Sequence, residues 1–155
     1  MLKQRIYIDT SVIGGCFDEE FSKWSNLLVD EIINGSYIAV ISELTRRELE
    51  GAPDDVQAIL HSLPEEYIEN VFLGEEAIDL AQKYVDNEVV TSKHIVDAQH
   101  IAIAAVEHVD VVISWNFRHI VNLERIRGFN SINLKLGYPI LEIRCPREIV
   151  DEKEL

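Results

Sequence analysis

Positive charge is scarce in this chain. Fourteen Lys and Arg stand against 28 Asp and Glu in 155 residues, a formal net charge of −14. That balance argues against a protein that grips nucleic acid with a broad basic face. A nuclease remains open, because carboxylates clustered for a divalent metal make a chain acidic while the metal supplies positive charge. An acidic surface also suits a basic protein partner. Cysteine is scarcer still. Cys16 and Cys145 fit no metal-ligand spacing, so free thiols in a reducing cytoplasm are the expected setting. Long apolar runs are missing too: none approaches a membrane span, and Met1-Leu2-Lys3-Gln4-Arg5 leads into a strand with no room for a signal peptide. There is no internal repeat, low-complexity tract or linker. The hydrophobic share of 47% and mean hydropathy of +0.01 suit one folded domain, residues 1–150, with a frayed acidic tail at 151–155.

Strand-like and helix-like segments alternate. Ile6-Tyr7-Ile8, Tyr37 to Ile41, Tyr67 to Leu73, Val109 to Ser114 and Ile140 to Ile143 read as strands. Helical spacing covers Asp18 to Ile33, Glu43 to Glu50, Asp54 to Leu63, Glu75 to Val85, His94 to His108 and Arg118 to Arg127. Asn34-Gly35 is a left-handed stop, Ser42 an N-cap, and Gly128-Phe129-Asn130 a break. Such alternation implies parallel crossovers: an α/β fold, a three-layer α/β/α sandwich with a mostly parallel central sheet.

Three acids are out of place in this scheme. Asp9 ends the first strand, where an open α/β sheet places its ligand crevice, although an N-cap would also account for it. Asp97 opens a helix that is apolar almost all round from Ile101 onward. A carboxylate there needs a partner, such as His94 or His100, or a metal or a wet cleft. Glu48 borders the apolar stripe of its helix, and has no cation four residues away on its own face. Ser114 and Asn116 end the fourth strand as Asp9 ends the first, or form a polar turn capping the next helix.

Together these marks resemble the PIN domain, a small metal-dependent ribonuclease fold that includes VapC-type toxins. The marks are Ile8-Asp9-Thr10-Ser11-Val12, Ser42 with Glu48-Leu49, Asp97-Ala98 before an alanine-rich helix, and Ser114-x-Asn116. The resemblance implies four positions around one or two Mg²⁺ or Mn²⁺ ions: Asp9, Glu48, Asp97 and Asn116, the last replacing the acid often found in that family. It makes Asp9, Glu48 and Asp97 the catalytic set, with Ser114, Thr10 and Ser11 orienting them from behind. Arg118, Lys93 and His100 are candidates for substrate phosphate. Hard divalent cations prefer such oxygen ligands.

The implied function is an endoribonuclease that leaves a 5′-phosphate and a 3′-hydroxyl, the toxin of a type II toxin–antitoxin pair. RNA would be its substrate, an antitoxin its protein partner, and a homodimer its assembly, with Phe21 and Trp24 available for contact or for the core. The alternative is a PIN-fold binding protein that the Asn116 substitution leaves weak or inactive. A haloacid dehalogenase-type phosphohydrolase needs a second Asp where Ser11 stands. Histidines at HExxH spacing are absent, which argues against a zinc site of that kind.

Overall fold

The computed structural model describes residues 2–154, with side chains through Val150. Five strands form one sheet: β1 (Gln4–Ile8), β2 (Tyr37–Ser42), β3 (Ile68–Val71), β4 (Val111–Ile113) and β5 (Glu142–Arg144). Their order is β3-β2-β1-β4-β5, and every neighbouring pair is parallel. Parallel strands need crossovers, which the helices supply. These are α1 (Thr10–Gly14), α2 (Ser22–Ile33), α3 (Glu43–Leu49), α4 (Asp54–Ser62), α5 (Glu75–Asp86), α6 (Ile95–Val106), α7 (Leu123–Lys135) and α8 (Pro146–Glu154).

Strand alternation divides the core into two halves. Tyr7, Val40, Val112 and Ile143 point to the face covered by α5, α6 and α7. Ile6, Ile8, Ala39, Ile41, Val111 and Ile113 point to the other, against α1, α2, α4 and α8. The expected three-layer sandwich is what forms. The central strand β1 has Ile6, Tyr7 and Ile8 fully buried, and α6 buries every residue from His100 to Ala105. Cys16 and Cys145 are free thiols, both buried.

Departures from the sequence reading have local causes. The Thr10–Gly14 segment, given no helix in the sequence reading, is one short helical turn, too brief to show periodicity. Asp18 lies outside its helix: its carbonyl accepts from Ser22 N and its carboxylate from Glu20 N, so α2 starts at Ser22. Gly128 does not break a helix; α7 runs through it. A Cβ there would stand 2.8 Å from Val89 Cγ1, so this glycine serves close packing. Gly35, with φ +82°, does stop α2. Phe21 and Trp24, named for a homodimer contact, are partly buried against the core. The helix α8 extends to Glu154, while Leu155 and the side chains from Asp151 onward lie outside the described residues, as does the question of fraying there.

Candidate functional site

The chain runs outward from β1 to β2 and β3, then crosses back to β4 on the other side of β1. The carboxyl ends of β1 and β4 therefore flank a topological switch point, where open α/β sheets leave a crevice. Asp9 follows β1 and Ser114 follows β4. Their hydrogen bond, Ser114 Oγ to Asp9 Oδ2 at 2.5 Å, ties the two strand ends together. Ser11 Oγ donates to Asp9 Oδ1 at 2.6 Å and accepts from Trp115 N at 2.9 Å. Asp9 is thus buried with both oxygens bonded. Burial pushes its carboxyl above the ordinary range; the nearby His100 and the two serine hydroxyls oppose that shift.

A hydrogen-bonded path continues from Asp9 to Asp97. Asn116 N donates to Ser114 Oγ at 2.9 Å, and Asn116 Nδ2 approaches Asp97 Oδ1 at 3.4 Å. The other end of the same amide is occupied: Asn116 Oδ1 accepts from His119 N at 2.9 Å. Asp97, in the first turn of α6, is raised by burial, an effect that His119, His100 and His94 oppose. Its side chain keeps 24% of its exposure, and its closest imidazole is His94 Nδ1 at 3.8 Å.

Glu48 reaches the same place from α3, which Ser42 caps by accepting from Thr45 N. Its partner comes from α6: His100 Nε2 lies 2.6 Å from Glu48 Oε1. The other ring nitrogen, Nδ1, is 2.6 Å from Tyr7 Oη, which donates to Ser42 Oγ at 2.8 Å. His100 holds Glu48 below the usual carboxylate range. It also lies within electrostatic reach of Asp9 and Asp97. His100 itself is buried, with both nitrogens engaged.

Of the remaining candidates, Lys93 and Arg118 are exposed. Thr10 Oγ1 is buried beside Glu48, and its hydroxyl helps to keep that carboxyl low. A cleft of about 520 Å³ opens beside Thr10 and Ser11, walled by Phe21 and Trp115 and bordered by Asn116. Phe21 stacks on Trp115 with centroids 4.1 Å apart, and Phe117 stands next to both, 45% exposed.

Sequence reasoning missed two features. Tyr7 carries a polar hydroxyl on the central strand; a buried tyrosine must place its hydroxyl somewhere, which was the available signal. The second is a side-chain group. His94, Asp97 and His119 each bring one ligand atom within 4.8 Å of the other two, the one such His/Cys/Asp/Glu group among the described residues. The His94 and His119 rings stack with centroids 3.6 Å apart at 26°. His119 comes from a different element, so spacing in the sequence could not disclose it.

The sheet order, crossovers and switch point define a PIN-like fold. A chain of the crystal structure of VapBC2 from Rickettsia felis bound to a DNA fragment from their promoter shares it. The TM-score is 0.56 at 10% sequence identity, over 92% of this chain and 98% of that chain. No protein-family model matches the sequence, and no curated protein does. At 10% identity, the likeness is one of fold.

Proposed function

We propose that this chain is a metal-dependent endoribonuclease that hydrolyses RNA phosphodiester bonds with Mg²⁺ or Mn²⁺, as the toxin of a toxin–antitoxin pair. One observation carries the reading. His100 contacts Glu48 and lies within electrostatic reach of Asp9 and Asp97, and Ser114 and Asn116 join Asp9 to Asp97 by hydrogen bonds. Glu48 pushes the Asp97 carboxyl further up, a like-charge cost that a cation would relieve. The fit to a hard divalent ion rests on the all-oxygen donor set that Asp9, Glu48 and Asp97 supply. Asp9, Asp97 and Glu48 would hold the ion, with Asn116 at the rim.

A divalent ion supplies a water of lowered pKa and stabilises charge on the scissile phosphate. The protein's own groups do the rest. Ser11 and Ser114 fix both Asp9 oxygens, and His100 sets the orientation of Glu48. The aromatic wall of Phe21, Trp115 and exposed Phe117 offers a stacking surface for a base beside the acids. Arg118 and Lys93 supply cations to a chain otherwise short of them. The likeness to a chain of VapBC2 supports a protein antitoxin as partner.

The alternative, a binding protein without cleavage, draws support from Asn116, whose Oδ1 is engaged by His119 N. One experiment separates them. A mixed single-stranded RNA pool is incubated with wild type or Asp9→Asn, in Mg²⁺, Mn²⁺ or chelator. Metal-dependent cuts should appear with wild type and vanish in the variant. RNA left intact while calorimetry shows no metal bound would sink the nuclease reading in favour of binding.

A further inference from the structure

We propose that His94, Asp97 and His119 form a binding site for a borderline divalent metal of the Zn²⁺ or Co²⁺ kind, which shares Asp97 with the all-oxygen set but differs from it in donor chemistry. The donor set is two imidazoles and one carboxylate, which suits such ions and suits Mg²⁺ poorly. Three protein ligands with a further position open to solvent is the arrangement of zinc sites that take water or substrate.

Geometry carries the case. The three ligand atoms already lie within 4.8 Å of one another, and His94 Nδ1 is 3.8 Å from Asp97 Oδ2. Ligands at zinc distances in a tetrahedron stand about 3.4 Å apart, so a slight fanning of two half-buried rings closes the site. His119 Nδ1 is buried and has no hydrogen-bond partner among the described residues, an orphan that otherwise has no explanation. Asp97 is also the least committed acid of the cleft. Asp9 has a serine hydroxyl on each oxygen, and Glu48 is paired with His100.

Asn116 acquires a role in this arrangement. Its Oδ1 takes the His119 backbone N–H while its Nδ2 faces Asp97, so one neutral amide positions two of the three ligands. An aspartate there would set a second negative charge against Asp97. The neutral side chain fits a site whose remaining donors are nitrogens.

The proposal does not require that RNA be cut, and its test reads metal alone. Chelator-stripped full-length protein is titrated with Zn²⁺ by calorimetry and with Co²⁺ by visible absorption. Wild type should bind one equivalent at this site and show the intense bands of low-coordinate Co²⁺. His94→Ala and His119→Ala should each weaken binding by about 100-fold or more and remove the bands, since even supporting residues of metal sites cost 10–100-fold. His94 sits on a half-exposed turn, so its variant keeps the test valid if His119→Ala misfolds; circular dichroism decides which data count. Asp9→Asn, and a double variant of the exposed His61 and His108, should keep binding. No Zn²⁺ bound by wild type would overturn the proposal. So would binding that survives both ligand variants, binding lost in Asp9→Asn, or binding lost in the His61/His108 variant.

Discussion

Asp9 and Asp97 stand at the two ends of one hydrogen-bonded path and are held in opposite ways. Asp9, at a strand end, takes hydroxyl hydrogens at 2.6 and 2.5 Å, one on each oxygen. Asp97, at a helix start, has an amide at 3.4 Å and an imidazole at 3.8 Å. Burial raises both carboxyls. The strand ends thus build a saturated anchor whose position is fixed before any ligand arrives. The helix start leaves a carboxylate short of donors, where an incoming cation gains most.

The sharpest way to break that contrast is Ser114→Ala. It removes the donor to Asp9 Oδ2 and the acceptor of Asn116 N, so Asp9 becomes as short of partners as Asp97. Urea unfolding should show a loss of about 2–3 kcal/mol, because a hydrogen bond to a buried charge is the stronger kind. Stability within experimental error of wild type would show that Asp9 is not anchored by this hydroxyl.

Asn116→Asp attacks the other side by setting a like charge against Asp97. Without metal at neutral pH it should lose on the order of 1 kcal/mol, returned by millimolar Mg²⁺. An unfolding midpoint unmoved in both conditions would contradict the contact.

Asp9→Asn should change stability in the opposite direction. A carboxyl raised by burial favours the neutral form in the fold. The stability tied to that form is complete below the unfolded aspartate range and is lost as pH rises through the raised folded value. The neutral amide should therefore raise the metal-free melting temperature at neutral pH and give no gain near roughly pH 3. A lower melting temperature at both pH values would mean that the serine bonds outweigh burial.

The smallest effect belongs to Glu48→Gln, since the Glu48 side chain is 42% exposed. His100 holds the folded carboxyl below its usual range, so its stabilisation is present above the unfolded glutamate range and lost as pH falls through the folded value. The small gap between wild type and variant should narrow on acidification. A gap that widens would place the proton elsewhere.

Much of the fold was legible because buried parallel strands are short β-branched runs and Ser42 and Gly35 mark their own positions. The segment at Thr10–Gly14 was not, being a single turn, and Gly128 misled because packing against Val89 looks in sequence like a breaker. The acids stood out by their place at element ends. Their partners did not: His100 meets Glu48 from 52 positions away, and Tyr7 meets His100 from 93. Spacing rules describe ligands within one element, whereas His119 joins Asp97 only after β4 has entered the sheet.

The pairing of β1 with β4 sets an order of events during synthesis. Ile6 to Ile8 emerge first, yet their neighbours on one side are Val111 to Ile113, and the Ser114 hydroxyl on Asp9 lies 105 residues downstream. Closing a loop of that length is slow compared with forming any of the helices between. A growing chain that has not yet released β4 holds Asp9 without its anchor, and has neither Asn116 nor His119. The cleft therefore forms late, only once the segment through His119 has left the ribosome.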